Sequence, residues 1–280
     1  MPTSPNPYRQ DLSRQAANHV PLTPLSLLEW AADVFPDKVA VIHGELRLTW
    51  GQFRARCHQL GSALAAHDIG VGDTVAALLP NTPPMLEAHF GVALSGAVLN
   101  SVNTRLDPAA VAFILEHSQS RVFIVDREYA PVATEALALL QQKGGTLPLV
   151  IDALDPVYLG ECQADRRTPN PALSELDYDG FVATGAADFA GEPPQDEFDA
   201  IGLNYTSGTT GDPKGVVVHH RGAYLNAVGN VLSWALPRHP VYLWTLPLFH
   251  CNGWCFPWTM AAVAGTNVCL RRVDPALIFD

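Results

Sequence analysis

The residues best suited to chemistry lie between positions 205 and 215, where the chain reads Tyr-Thr-Ser-Gly-Thr-Thr-Gly-Asp-Pro-Lys-Gly. Four hydroxyl side chains, Thr206, Ser207, Thr209 and Thr210, surround Gly208 and precede Gly211. Hydroxyls and backbone N–H groups donate to anions, and glycine lets the backbone approach an anion with no Cβ in the way. Lys214 adds a compact cation suited to phosphate oxygens. The composition points to polyphosphate binding. It is not the common P-loop, which needs G-x-x-x-x-G-K-[ST] running into a helix. Here Asp212 and Pro213 separate Gly211 from Lys214, and the β-branched run Val216-Val217-Val218 follows. A plain polar hairpin is the alternative, with Asp212 serving its turn. Turn chemistry accounts for 211–215 but leaves the hydroxyls at 206–210 unexplained.

The elements that must position this loop alternate short β-type runs with helical patterns, the signature of an α/β layered fold. Lys38–His43 and Leu46–Thr49 predict a hairpin turned at Gly44 and Glu45. Thr49 then caps a helix with Phe53, Cys57, Leu60 and Leu64 on one face, and Gly70 ends the region. Thr74–Leu79 predicts a buried strand, and Thr82 with Pro83 forms a cap and first-turn pair. Ala97–Val102 and Arg121–Asp126 predict further strands, with a helix opened by Asp107 and Pro108 between them. An Ala- and Leu-rich helix and a strand at Leu147–Ile151 complete a mostly parallel sheet. Downstream, strands are expected from Ala200, from Val216, over Val241–Leu246 and over Gly265–Leu270, with helices over Arg221–Trp234 and after Asp274-Pro275. The expected organisation is an extension at 1–20, a first α/β unit at 21–151, an irregular connection rich in Pro, Asp, Glu and Gly at 152–198, and the start of a second α/β unit at 199–280. The fold class is α/β, with layered, mostly parallel sheets and flanking helices.

The 280 residues are 48% hydrophobic and 16% charged, a globular composition. A net charge of -11, from 17 Lys and Arg against 28 acids, argues against nucleic acid as a partner. No stretch of about 18 apolar residues and no secretory leader is evident, so no membrane span and a cytoplasmic location are expected. Cys57, Cys162, Cys251, Cys255 and Cys269 form an odd, scattered set that suits a reducing compartment. His250, Cys251 and Cys255 lack a second ligand pair at zinc-finger spacing, and no metal site is assigned to them.

The eleven residues from Tyr205 to Gly215 resemble the AMP-binding signature of the adenylate-forming superfamily, which includes acyl-CoA synthetases, luciferases and peptide-synthetase adenylation domains. Leu48-Thr49-Trp50, Gly96-Ala97-Val98 through Val102-Asn103-Thr104-Arg105-Leu106, and Leu246-Pro247-Leu248-Phe249-His250 also fall in that family's order. The resemblance implies an enzyme that binds ATP with Mg2+, joins a carboxylic acid to AMP with loss of pyrophosphate, and passes the acyl group to coenzyme A. It implies that Thr206, Ser207, Gly208, Thr209, Thr210 and Gly211 hold the β- and γ-phosphates and that Lys214 lies near the leaving pyrophosphate. It also implies an acyl pocket at His250, Asn252, Gly253 and Trp254. A locally helical segment would put His250 and Trp254 on one face; a packed aromatic cluster is the alternative. His219 and His220 are expected only at a strand end.

Pro-Leu-Phe-His-Cys-Asn-Gly-Trp resembles most the short- and medium-chain acyl-CoA ligases and the methylmercaptopropionate-CoA ligases, and a bulky Trp254 would shorten an acyl channel. Two alternatives stand beside this: an amino-acid adenylation domain and a non-catalytic nucleotide-binding fragment. The family's Thr-Glu magnesium stretch, its ribose-gripping aspartate and its mobile lysine-bearing domain are expected beyond Asp280, since the one Thr-Glu pair, Thr134-Glu135, precedes the loop. The chain is thus expected to be the front part of the large domain, with no catalytic residue assigned, and poorly soluble and inactive by itself. The whole enzyme could pair as a homodimer.

Overall fold

Both sheets of this protein are assembled from strands far apart in sequence. The computed structural model describes residues 6, 8, 10–206 and 213–279. In chain order the elements are α1 (Leu25–Val34), β1 (Val39–His43), β2 (Leu46–Thr49), α2 (Trp50–Ala66), β3 (Thr74–Leu78), α3 (Pro83–Leu94), β4 (Val98–Ser101), α4 (Pro108–His117), β5 (Ser120–Asp126), α5 (Ala130–Gln142) and β6 (Leu149–Ala153). Then come α6 (Pro156–Ala164), α7 (Tyr178–Ala183), β7 (Ala200–Thr206), β8 (Lys214–His219), α8 (His220–Ser233), β9 (Val241–Leu243), α9 (Cys251–Trp254), α10 (Phe256–Ala262), β10 (Thr266–Val268) and α11 (Pro275–Phe279).

One sheet has six strands in the order β6-β5-β3-β4-β7-β8, parallel except for β8; the other has four in the order β2-β1-β10-β9, parallel except for β2. The α/β architecture with flanking helices is as the sequence predicts. The central strands bury nearly every side chain, as a sheet covered on both faces requires: Val122, Phe123, Ile124 and Val125 of β5 are all fully buried.

Local chemistry explains most of the boundaries. Thr49 accepts from the backbone N–H of Gln52 while the Gln52 side chain accepts from that of Thr49, a complete capping box that starts α2. Asp107 caps α4 by accepting from Ala110 N–H. Thr82 stands at the cap position of α3 in extended backbone but makes no capping bond; Pro83 at the first helical position sets the start instead. Helices α2 and α3 touch through Gly91, where a Cβ would fall 2.7 Å from the Leu60 side chain.

Several expectations change. The stretch 152–198 is not irregular throughout: it holds α6 and α7. Asp155 accepts from Val157 N–H ahead of Pro156, and Asp177 accepts from Gly180 N–H, so residues read as breakers act here as helix starters. Tyr158, Cys162, Tyr178, Phe181 and Val182 then bury against the protein. Nor is either sheet confined to one side of that stretch, since β7 pairs with β4 and β10 with β1. Strand β9 is shorter than predicted because the Asn81 side chain takes the Trp244 and Leu246 carbonyls, at 2.8 and 3.0 Å, out of the ladder. His219 proves to be the N-cap of α8, its Nδ1 accepting from Gly222 N–H at 2.8 Å. Among the described residues no helix is long and apolar enough to cross a membrane.

Candidate functional site

Strands β7 and β8 are antiparallel, with Thr206 opposite Lys214 and Tyr205 opposite Gly215. The hydroxyl-rich stretch is therefore carried at the open end of a two-strand stem, with Thr206 and Lys214 exposed at its mouth. Ser207, Gly208, Thr209, Thr210 and Gly211 lie outside the described residues. Below the mouth, the Tyr205 hydroxyl bonds His117 Nδ1 at 2.7 Å, and His117 stacks on Phe113 at 5.4 Å between ring centroids. Burial pushes the Tyr205 phenol up from its ordinary pKa.

The second motif, at 247–254, is not a right-handed helix. His250 is extended (φ -91°, ψ 116°) and leads into five consecutive left-handed residues, with φ of 50° at Cys251, 51° at Asn252, 56° at Gly253, 55° at Trp254 and 63° at Cys255. Left-handed backbone costs roughly 1–2 kcal/mol for each residue with a Cβ, so packing must hold the turn. A Cβ on Gly253 would lie 2.7 Å from the Trp244 ring, which leaves room for glycine alone. Asn252 is 1% exposed, and the Trp254 carbonyl accepts from Asn230 Nδ2 at 2.9 Å. The face argument for His250 and Trp254 thus gives way to a different arrangement. Asn252 and Gly253 point inward, while His250, Cys251 and Trp254 are exposed, Trp254 by 52%. Ring pairs link Trp244, Tyr242, Phe256 and Trp234 behind the turn, and among the described residues Trp254 joins none of them. Burial raises the Cys255 thiol above its ordinary range.

The two motifs meet through residues that no pattern marked. Asn204 of β7, two positions before Thr206, donates from Nδ2 to Ser101 Oγ at 2.7 Å and to the Phe249 carbonyl at 3.2 Å. Asn81 Oδ1 accepts from Leu248 N–H at 2.8 Å. A polar residue inside an otherwise apolar strand was the one available signal for Asn204.

A cavity of about 1030 Å³ opens elsewhere, between the β1–β2 hairpin, the start of α3 and the ends of β5 and β6, and no residue of either motif lines it. Three of its lining residues, His43, Asp126 and Asp155, are tied together by Arg271, which stands behind the wall. Arg271, 9% exposed, bonds Asp126 at 2.8 and 2.9 Å, Glu128 at 2.7 Å and Asp155, which also meets His43 Nε2 at 2.9 Å. Burial opposes the Asp155 carboxylate, but the His43 hydrogen bond and the Arg271 charge outweigh it and hold its pKa below the ordinary value; at Asp126 burial wins and raises the pKa. This network braces the ends of β5 and β6.

Residues 28–280 match the family of AMP-binding enzymes. The chain belongs to that family. Among other members it is 50% identical over 275 residues to the peroxisomal acetate/butyrate–CoA ligase AAE7 of Arabidopsis thaliana, and 47% identical over 275 residues to the acetate–CoA ligase CCL3 of Humulus lupulus. Each alignment takes in 96% of this chain and 47% of the relative. The chain spans about half the length of the curated relatives it matches. A fatty acyl CoA synthetase of Mycobacterium tuberculosis superposes with a TM-score of 0.73 at 28% identity, covering 92% of this chain and 46% of that one.

Proposed function

We propose that this chain supplies the phosphate loop and part of the acyl pocket of an ATP-dependent carboxylate–CoA ligase acting on short-chain acids. The observation that carries this is the pairing of Thr206 with Lys214 at the mouth of β7 and β8, with the hydroxyl-rich signature between them. Activating a carboxylate on ATP brings two anions together, and positioned donors and cations must offset their repulsion. In this reading Thr206 to Gly211 hold the β- and γ-phosphates and Lys214 meets the departing pyrophosphate. His250 and Asn252-Gly253-Trp254 border the acid, and the exposed Trp254 indole limits its length. Coenzyme A then displaces AMP. Magnesium would enter on the phosphates of ATP, since it keeps several waters and takes few protein carboxylates; among the described residues no group of three or more His, Cys, Asp or Glu is placed to hold a metal ion.

Short acids are preferred because the two relatives at 50 and 47% identity are named for acetate and butyrate. The same names favour a CoA ligase over an amino-acid adenylation domain. The location proposed is the cytoplasm; a peroxisome is the second reading, from the location in the Arabidopsis thaliana relative's name.

The test, on the complete enzyme that carries this chain, is pyrophosphate release and acyl-CoA formation from ATP, coenzyme A and a series of acids from acetate to octanoate. Lys214→Ala and Thr210→Ala should each slow adenylate formation by about 10- to 1000-fold. Wild-type rates in both variants would overturn the phosphate-loop assignment, and nucleotide binding without turnover by the unsubstituted complete enzyme would favour a non-catalytic role.

A further inference from the structure

The stem of the phosphate loop and the backbone that carries His250 share one buried polar cluster. Ser101, the last residue of β4, accepts from Asn204 Nδ2 at 2.7 Å and donates to the Phe249 carbonyl at 3.0 Å. Asn204 gives its other N–H to the same carbonyl at 3.2 Å, so both lone pairs of that oxygen are engaged. Asn252 places Oδ1 3.5 Å from Ser101 Oγ and packs its amide on Gly202 of β7, where a Cβ would fall 3.0 Å from Nδ2. All three side chains are less than one-tenth exposed. The Phe249 carbonyl belongs to the peptide plane whose nitrogen is that of His250. Two donors on it fix the plane from which His250 departs, and Asn252, one of the few residue types that tolerate left-handed backbone, fixes the turn that follows.

We propose that Asn204, with Ser101 and Asn252, positions the His250 segment against the β7–β8 stem, so that the acid beside His250 meets the nucleotide held at Thr206 and Lys214. This rests on the carboxylate-activating function proposed above. Ser101 and Asn204 are positioning residues that act through His250; Asn252, which borders the acid in the function proposed above, also holds the turn. The geometric need is severe, because a displacement of about 1 Å between reacting groups can cost about 100-fold in rate.

The experiment has two arms, both on the whole protein. In hydrogen–deuterium exchange, Asn204→Leu removes both donors at similar volume, and peptides spanning 249–255 should exchange about tenfold faster than in wild type while peptides from α2 and β5 stay unchanged. Ser101→Ala, a smaller change, should raise exchange in the same peptides; unchanged exchange there in Ser101→Ala would overturn the proposal even if Asn204→Leu folds badly. In the kinetic arm, Asn204→Leu should lower kcat for acid-dependent pyrophosphate release by about 10- to 100-fold with KM for ATP within about threefold, and Asn204→Gln should recover part of the loss. Combined with His250→Ala, Asn204→Leu should add no further loss, since the two act as one unit; additive losses would overturn the proposal. Absence of any acid-dependent release from the unsubstituted protein would sink the proposed function alone, and the exchange arm would still decide the positioning role.

Discussion

The Asn81 side chain closes on the backbone of Leu248: its Oδ1 accepts the Leu248 N–H at 2.8 Å across 167 positions of sequence. Its Nδ2 donates to the carbonyls of Trp244 and Leu246 at 2.8 and 3.0 Å. Trp244 N–H still bonds the Val268 carbonyl of β10 at 3.0 Å, and from the Trp244 carbonyl onward one side chain stands in for a partner strand. Asn81→Ala leaves buried backbone groups unpaired and should cost about 2–4 kcal/mol in urea unfolding. A loss below about 0.5 kcal/mol would show that water takes over those bonds.

Gly253→Ala should destabilise by about 2–4 kcal/mol, because the added methyl meets the Trp244 ring and the backbone stays left-handed at φ 56°. Thermal unfolding followed by near-UV circular dichroism at the Trp signals checks this. An unchanged midpoint would mean that Trp244 turns aside freely.

Trp254→Ala separates function from stability. The indole is 52% exposed, so its removal should shift unfolding by less than about 1 kcal/mol. Acid preference should move toward longer chains, because the volume released lies beside the acid in the proposed pocket. Specificity constants over acetate to octanoate test it, and an unchanged chain-length profile would leave Trp254 with no part in selection.

Acid should weaken the fold through two buried histidines. Burial lowers His89 from 6.5 to about 4, against the pull of its hydrogen bond to the Met85 carbonyl, and burial likewise lowers His220 to about 4. The folded protein then binds fewer protons than the unfolded chain between those values. Stability from these groups is complete above about pH 6.5 and is lost as pH falls toward about 4, at up to roughly 1.4 kcal/mol per pH unit for each histidine. His89→Phe keeps a ring beside Trp258, 5.8 Å from His89 between centroids, and should make the fall in melting temperature between pH 7 and pH 5 shallower. An identical slope would assign the acid sensitivity to other groups.

The sequence made the βα alternation legible because cap residues and period changes are local signals: Thr49, Asp107 and the Val-rich core of β5 each announce their own element. The same letters misled at 155–156 and 177–179, where Asp155 with Pro156 starts α6 and Asp177 starts α7, but both look like loop punctuation when the buried Tyr158 and Phe181 beyond them are not yet placed. The end of β9 was illegible because it is decided by Asn81, 163 residues away from Trp244. At the candidate site, the stem of the phosphate loop followed from strand pattern and motif together. The left-handed turn did not, since Cys251, Trp254 and Cys255 carry no local preference for it and are held there by Trp244, Asn230 and the β7 backbone.

The order of the four-stranded sheet has a consequence for how the protein is made. Asn267 of β10 donates from Nδ2 to the Ala40 carbonyl of β1 at 3.0 Å, and the two residues are 227 positions apart. A ribosome adding about 5–20 residues per second delivers β10 roughly 10–45 s after β1 has emerged. Through that interval the β1–β2 hairpin is a two-stranded ribbon, marginal by itself, with the Val41 edge open to any other nascent strand. Slow decoding between codons 43 and 266 would lengthen the exposure, so the yield of folded protein should depend on translation speed and on chaperones that shield strand edges while the chain is still attached.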